Sequence, residues 1–161
     1  MYDVVDEVQL MTRDGEVRIL KKADLHIGYR HCDELKDAIA MGALLKSASA
    51  LESDAIARQI DVYRDKRQKT QPREPSAGCV FKNPEGDSAG RLIDAAGLKG
   101  ERVGGAEVST VHANFIVNCG NATSSDIIEL MRRVRARVEE AKGVRLEPEV
   151  LLYGKEWRDV L

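Results

Sequence analysis

The residues best suited to chemistry lie in the stretch PSAGCVFKNP, residues 75–84. Three small residues, 76–78, precede Cys79 and allow backbone or a ligand to approach closely. Lys82 and Asn83 follow shortly after and supply a cation and an amide. This setting favours a functional thiol. Cysteine is also among the most buried residue types, so a packing role is the alternative.

Several other polar residues are candidates for a site. A nucleophilic thiol requires a base, and the chain has three histidines whose spacing does not identify one: His26, His31 and His112. Arg30, in GYRHC, is either a surface arginine or a clamp for an anion. Glu149, in LEPEV, lies among apolar residues. A carboxylate that faces inward there is costly unless paired or functional, whereas an outward one is ordinary strand alternation.

Phosphate-binding motifs are weak in this sequence. It contains no GxxxxGK[ST] motif and no GxGxxG between a strand and a helix. The segment GLKGERVGG, residues 97–105, is typical of a loop with turn glycines. The basic run RDKRQKTQPREP, residues 64–75, is either a solvated surface or an anion-binding segment.

Composition restricts the class of protein. The 161 residues are 43% hydrophobic and 32% charged with a net charge of −2, which fits a folded protein without a global field for nucleic acid or membrane. No run approaches the roughly 20 apolar residues of a membrane helix, and the acidic N-terminus is unlike a signal peptide. The cysteines are odd in number and widely spaced, which predicts reduced thiols in the cytoplasm and no metal site: Cys32, Cys79 and Cys119.

The first part of the chain is rich in strand signals. Residues 8–20 form two short β-type runs joined at Asp14–Gly15, a dipeptide suited to a hairpin turn. The apolar run 39–48 predicts a buried strand. A helix is predicted from Ser53 or Asp54 to about Gln68, because the residues of one apolar stripe recur at helical spacing: Ile56, Ile60 and Tyr63. The basic run that follows is interpreted as a linker.

The second part alternates helices and strands. A short helix is predicted from about Ser88 to Ala96, ended by Gly97, and a buried strand at 113–118. The clearest helix begins after Thr123 or Ser124 and ends at Gly143, with a stripe expected in the core: Ile127, Met131, Val134, Val138 and Ala141. Residues 144–154 predict a last strand. The fold class is therefore α+β.

Five segments, taken in order, resemble the UDP-N-acetylenolpyruvoylglucosamine reductase (MurB) family: GYR, PSAGCVFKNP, AGRLIDAAGLKG, GGAEVSTVHANFIVN and LEPEV. The resemblance runs from about residue 5 to 155. Its short spacing between GYR and AGCVF is similar to the shorter of the family's two classes. It implies that residues 1–50 are the end of a FAD-binding domain whose earlier part is missing, and that residues 51–161 are the substrate-binding domain.

The resemblance also implies a reaction. NADPH reduces FAD, and the flavin reduces the enolpyruvyl group of UDP-N-acetylglucosamine enolpyruvate to give UDP-N-acetylmuramate for peptidoglycan precursor synthesis. Arg30 matches the arginine that stabilises the enolate, and Glu149 the glutamate that holds the intermediate. Cys79 occupies the position of the proton donor, where the family most often has serine.

The remaining implications concern binding. Tyr29, Asn83 and His112 match positions of the substrate site, whereas no cofactor-binding residues are assigned in this chain. Most of the FAD site is expected in the missing half, which is itself an expected partner, so the chain alone is expected to be inactive. The alternatives are a non-catalytic module that binds a UDP-sugar or a partner chain, and a cysteine hydrolase that uses Cys79 and His112.

Overall fold

The structure, a computed structural model, describes residues 2–47, 50–154 and 156–161. The chain divides into two compact units, one up to Ala57 (unit 1) and one from Arg58 to Leu161 (unit 2). The domain boundary after residue 50 stays a prediction, because compactness alone does not identify domains that fold separately.

Unit 1 is built on an antiparallel sheet in the order β2-β1-β5. Its strands are β1 (Val5–Thr12), β2 (Val17–Lys21) and β5 (Ala38–Leu45), and the predicted hairpin turn joins the first two at Gly15, whose φ is +84°. Between β2 and β5 lies a small hairpin of β3 (Ile27–Gly28) and β4 (His31–Cys32). One face of the sheet is partly covered, with three buried apolar residues in the unit: Val8, Leu10 and Leu25.

The other face of the sheet in unit 1 is open, and it is apolar at the end next to the Gly15 turn. Met11 pairs with Val17 on one side and with Ile39 on the other, so these three side chains share this face. Val17 is 50% exposed and Ile39 is 63% exposed. The strand predicted at 39–48 is therefore present as far as Leu45, but its predicted burial is wrong, because all its residues except the half-buried Ala38 are exposed; Ala48 lies outside the described residues.

Helix α1 (Ser53–Thr70) confirms the predicted helix, which continues two residues further than expected. The residues of its apolar stripe, Ile56, Ile60 and Tyr63, are all exposed. The basic run was interpreted as a linker, but its first part is helical: the last turn contains Arg67 and Lys69, and the Gln71 N–H donates to the Arg67 carbonyl. Cations in the last turn suit the negative end of the helix dipole.

Unit 2 contains an antiparallel sheet in the order β6-β9-β8-β7. The strands are β6 (Ser76–Cys79), β7 (Arg102–Val103), β8 (Ala106–Val108) and β9 (Phe115–Asn118), which confirms the strand expected at 113–118. Helix α2 (Ala89–Ala95) confirms the predicted short helix. The Ser88 hydroxyl accepts the Arg91 N–H at its start, and Gly97 follows its end with a φ of +72°.

Helix α3 (Ser124–Lys142) packs against α2 and the sheet of unit 2. Thr123 and Asp126 form a capping box at its start, and Gly143 ends it in the left-handed conformation, as predicted. The predicted stripe is largely confirmed, with Leu130 as an addition and with Ala141 exposed in the last turn. Its fully buried members are Leu130, Met131, Val134 and Val138.

The last predicted strand is wrong. Within residues 144–154, pairing is limited to one bridge between Phe81 and Pro148, flanked by the Lys82 N–H to the Glu147 carbonyl and the Glu149 N–H to the Val80 carbonyl, both at 2.8 Å. The pairing does not continue at Val80, because its N–H donates to the Asn114 carbonyl at 2.9 Å and not to Glu149. None of the helices in the described residues combines the length and apolar character needed to cross a membrane.

The side chain of Asn114 makes the backbone hydrogen bonds next to β6 that a neighbouring strand would otherwise make. This contact leads to a prediction about stability. Its buried side chain accepts the Phe81 N–H at 3.0 Å and donates to the Phe81 carbonyl at 2.8 Å. Asn114→Ala leaves both buried backbone groups unpaired, so we expect the free energy of unfolding of unit 2 to fall by about 2–4 kcal/mol. Denaturant unfolding followed by the fluorescence of Trp157, the single tryptophan, measures the change.

The control for Asn114→Ala is Glu140→Ala on the exposed side of α3, where the change should stay within about 0.5 kcal/mol. Equal stability of the Asn114→Ala and Glu140→Ala proteins would show that the side chain of Asn114 does not hold this segment.

Candidate functional site

A β-bulge delivers Cys79 at the end of β6. Ser76 is opposite Val117 and Cys79 is opposite Phe115, so β6 has one residue more than β9 between these pairs. Gly78 lies in this irregularity with a φ of +85°, a conformation that favours glycine. Bulges re-aim side chains and are frequent beside active sites. The small residues before Cys79 therefore form a bulge that sets the direction of its half-buried side chain.

Cys79 shares a cavity with two other predicted site residues, Asn83 and His112. The cavity has a volume of about 390 Å³ and lies entirely in unit 2. Sequence reasoning did not identify the rest of its lining as part of a site: Ser88, Gly90, Arg91, Asp94, Lys99, Val111, Ala113 and Asn114. The motif AGRLIDAAGLKG contains half of these residues. Its resemblance to a known family was the sequence signal that could have identified them as part of a site.

Asn83 and His112 are both oriented by backbone groups. The Asn83 Oδ1 accepts the N–H of Ala89, the first residue of α2, at 3.0 Å. The NH₂ group of Asn83 is then the end of the side chain that can donate to a ligand. The His112 Nδ1 accepts the Asn114 N–H at 3.2 Å, so a neutral ring carries its proton on Nε2. Both side chains thus present donors, which suit a ligand that is rich in oxygen acceptors.

The His112 ring is packed tightly on two sides. It contacts Phe115 edge-on, with ring centroids 4.8 Å apart. It also lies close to Gly90 of α2, where an added Cβ would lie 3.2 Å from the His112 Cε1. The glycine therefore provides the space that the ring occupies.

The cations of the cavity lining are paired with carboxylates. Arg91 donates from Nε to an Asp87 oxygen at 2.6 Å, and this partner holds the pKa of Asp87 below its usual range. The Lys99 Nζ lies 2.8 Å from an Asp94 oxygen. An anionic ligand would have to compete with Asp87 and Asp94 for these two cations.

Glu149 is tied to the strand that carries Cys79. Its N–H donates to the carbonyl of Val80, the residue after Cys79, at 2.8 Å. The sequence left open whether the Glu149 carboxylate faces inward or outward. Glu149 is half-buried, which is intermediate between these alternatives. The described lining of the 390 Å³ cavity does not include it.

Arg30 and Tyr29 form the two-residue loop of the β3–β4 hairpin in unit 1. Arg30 has a φ of +58°, a conformation that costs a non-glycine residue about 1 kcal/mol. Its Cζ lies 5.6 Å from the centroid of the Tyr29 ring, within the range of a cation–π contact. Strained residues of this kind cluster at functional sites.

The remaining candidates do not form a metal site. In the part of the chain that the structure describes, no group of three His, Cys, Asp or Glu side chains is placed to hold a metal ion. Cys32, Cys79 and Cys119 all lie in that part and form no disulfide.

The contact between Gly90 and His112 generates a prediction for the site. Gly90→Ala should displace the His112 ring, while the gain in helix propensity keeps the free energy of unfolding within about 1 kcal/mol of the parent. Two-dimensional ¹H–¹³C NMR of the imidazole resonances detects the displacement.

The matched control for Gly90→Ala is Gly42→Ala in β5, whose added Cβ meets its nearest neighbour at an ordinary 3.8 Å. We expect the His112 resonances to be unchanged in this control. Unchanged His112 resonances in Gly90→Ala as well would contradict the tight packing of the ring.

Comparison with known proteins gives a consistent family. Residues 70–153 match the model of the UDP-N-acetylenolpyruvoylglucosamine reductase, C-terminal domain (MurB). Proteins named UDP-N-acetylenolpyruvoylglucosamine reductase from Parvibaculum lavamentivorans and Anaeromyxobacter are 44% and 46% identical over 153 and 158 residues. These matches cover 94% and 96% of this chain but only 49% and 48% of the relatives.

A solved structure agrees with these matches. The crystal structure of the MurB reductase from Thermus caldophilus superposes with a TM-score of 0.80 at 39% identity, covering 93% of this chain and 53% of that one. The chain thus spans about half the length of the relatives that it matches. The family model covers more than half of the chain, and the chain therefore belongs to the UDP-N-acetylenolpyruvoylglucosamine reductase (MurB) family.

Proposed function

We propose that this chain is the C-terminal part of a flavin-dependent reductase that converts UDP-N-acetylglucosamine enolpyruvate to UDP-N-acetylmuramate with NADPH. The observation that carries the proposal is the bulge that turns Cys79 into the cavity of Asn83 and His112. The names of the relatives support the same reaction class. The product serves peptidoglycan synthesis in the cytoplasm, and through it cell shape and division.

Cys79 is the proposed general acid. Reduction of the enolpyruvyl group adds a hydride to the terminal carbon and a proton to the neighbouring carbon. In the second step the Sγ–H bond of Cys79 breaks and a C–H bond forms, which leaves a thiolate that regains its proton from solvent. An ordinary thiol has a pKa of about 8.5, so it is mostly protonated at neutral pH and is a stronger acid than a serine hydroxyl.

Arg30 is the proposed electrostatic catalyst. Hydride addition places negative charge on the carbon next to the substrate carboxylate, and a permanent cation with paired donors stabilises such an enolate. The exposed contact with Tyr29 favours one orientation of the guanidinium by about 0.5–1 kcal/mol before the substrate arrives. This reduces the reorganisation needed during the reaction.

Glu149 has the proposed role of holding the reaction intermediate. Its backbone bond to Val80 fixes it relative to the segment that follows Cys79. This bond therefore helps to set the spacing between the donor and the glutamate.

The nucleotide end of the substrate is proposed to bind at Asn83 and His112, with Tyr29 as a further substrate contact. Uracil and pyrophosphate offer the oxygen acceptors that the donors of Asn83 and His112 require. An anion-binding role for the basic run at the end of α1 stays a prediction. An anion would have to compete there with Asp61, which is paired with Arg64 at 3.1 Å.

FAD fits this chain in one respect. The open sheet face of unit 1 is apolar around Met11, Val17 and Ile39, and this part offers a single wall for a flat aromatic ring. The flavin, when bound, supplies the hydride, and NADPH renews it. Most of the FAD site is proposed to lie in the half of the relatives that this chain does not match. The same half is proposed to provide a partner surface for unit 1.

The two alternatives are weaker. A non-catalytic UDP-sugar module would use the same cavity, but it is not favoured because the relatives are named as reductases. The cysteine hydrolase gains no support from the comparisons.

Titration with UDP-N-acetylglucosamine tests the nucleotide site. We expect weak, millimolar binding by the chain that salt weakens further, as for a partly electrostatic contact. Asn83→Ala and His112→Ala should each weaken binding about 3- to 10-fold through the loss of one hydrogen bond. NMR chemical-shift mapping measures both the affinity and the location.

The control for the titration is Thr110→Ala, an exposed position outside the cavity lining that should bind like the parent. Failure of the folded parent chain to bind at millimolar ligand would contradict the nucleotide site. Equal binding by the Asn83→Ala and His112→Ala variants would place the ligand elsewhere.

A further inference from the structure

We propose that Glu34 is a positioning residue: its carboxylate clamps the base of the β3–β4 hairpin and thereby holds the Tyr29–Arg30 loop in shape. The role of Arg30 toward an anionic substrate rests on the proposed function, whereas the clamp itself is a property of unit 1. The two parts can therefore be tested separately.

The Glu34 carboxylate makes contacts to both sides of the hairpin. It accepts the His26 N–H at 3.0 Å, lies 2.6 Å from the His26 Nδ1, and accepts the Cys32 thiol at 3.4 Å. His26 comes immediately before β3, and Cys32 is the last residue of β4. One carboxylate thus joins the start of the hairpin to its end.

The hairpin needs such a tie because its ladder is short. Only two residue pairs form it, Ile27 with Cys32 and Gly28 with His31, and the Asp33 N–H adds one bond to the His26 carbonyl at 3.0 Å. Two-stranded hairpins of this size are marginally stable in water. The left-handed conformation of Arg30 adds strain to the same loop.

Glu34 is shielded compared with its neighbours. Its side chain is 16% exposed, whereas that of His26 is 78% exposed and that of Asp33 is 51% exposed. The hydrogen bond from His26 lowers the pKa of Glu34 to about 2, so the carboxylate stays ionised at neutral pH. The same contact raises the pKa of His26.

The hydrogen-bonded series at the base of the hairpin consists of Cys32, Glu34 and His26. The neighbouring Cys32 thiol raises the pKa of Tyr2 to about 12. The neighbouring carboxylate, Asp33, instead pairs on the surface with His31 at 2.8 Å and with Lys36 at 2.7 Å.

The clamp is tested in residues 1–161 by NMR with three variants: Glu34→Ala, Glu34→Gln and the matched control Asp33→Ala. A strong intraresidue NOE between the amide and α protons reports the positive φ of Arg30. In Glu34→Ala this NOE should be lost, and the His26 amide should exchange with solvent at least about tenfold faster, since a bond to a charged acceptor is removed.

Glu34→Gln separates the clamp from general destabilisation. A glutamine oxygen still accepts the His26 N–H, so the Arg30 NOE should be partly retained, while the His26 pKa returns toward about 6.5 in both Glu34 variants. Asp33→Ala should change neither the Arg30 NOE nor the exchange of the His26 amide. The methyl resonances of Val8 and Leu10 serve to show that the sheet of unit 1 remains folded.

Two outcomes would overturn the proposal. One is an unchanged Arg30 NOE and unchanged His26 exchange in Glu34→Ala, and the other is an equal loss of both in Asp33→Ala. Neither readout depends on substrate or flavin, so a failure of the proposed function leaves this test intact. Conversely, a confirmed clamp does not by itself support the reaction.

Discussion

The geometry of the candidate site depends on how the segment after β6 is held. The side chain of Asn114 pairs with both backbone groups of Phe81 from one side, and residues 147–149 pair with Val80 and Lys82 from the other. These bonds fix the chain directly after the bulge. Because Cys79 lies between the bulge and this segment, both its position and its direction follow from them.

The two units use different means to present polar side chains. In unit 2, α2, α3 and the sheet form a packed core, and the site residues Asn83 and His112 are oriented by buried backbone groups. In unit 1 the core is small, and the Tyr29–Arg30 loop is held by a polar network at the base of a short hairpin. Such a network orients the Tyr29–Arg30 loop without burying much apolar surface. It is sensitive, however, to the loss of one carboxylate.

Much of unit 2 could be predicted from the sequence because its signals are local. Thr123 and Gly143 bound α3, Ser88 and Gly97 bound α2, and the small residues before Cys79 indicate a backbone irregularity. Cys79, Asn83 and His112 are brought to one cavity, as the family resemblance implies for a site. Their catalytic and binding roles remain predictions.

Other features could not be predicted because they depend on distant partners. The exposure of β5 is set by what covers it, which no local pattern reports. The last strand is absent where the Val80 N–H bonds to the distant Asn114 carbonyl and not to Glu149, which no local pattern indicates. Glu34 and His26 are eight residues apart in an irregular segment, so no periodic pattern indicates that they meet.

The most direct test of the central claim, that Cys79 is the proton donor, is a stopped-flow measurement of the two half-reactions. The enzyme is a chimera in which the remaining half of the Parvibaculum lavamentivorans reductase precedes this chain, as the parent and as Cys79→Ala and Cys79→Ser. Flavin reduction by NADPH should be nearly unchanged in all three. Reoxidation by the enolpyruvyl substrate should slow about 10²–10⁴-fold in Cys79→Ala, the usual contribution of a general acid, and remain substantial in Cys79→Ser. Reoxidation of Cys79→Ala at the rate of the parent would contradict the account.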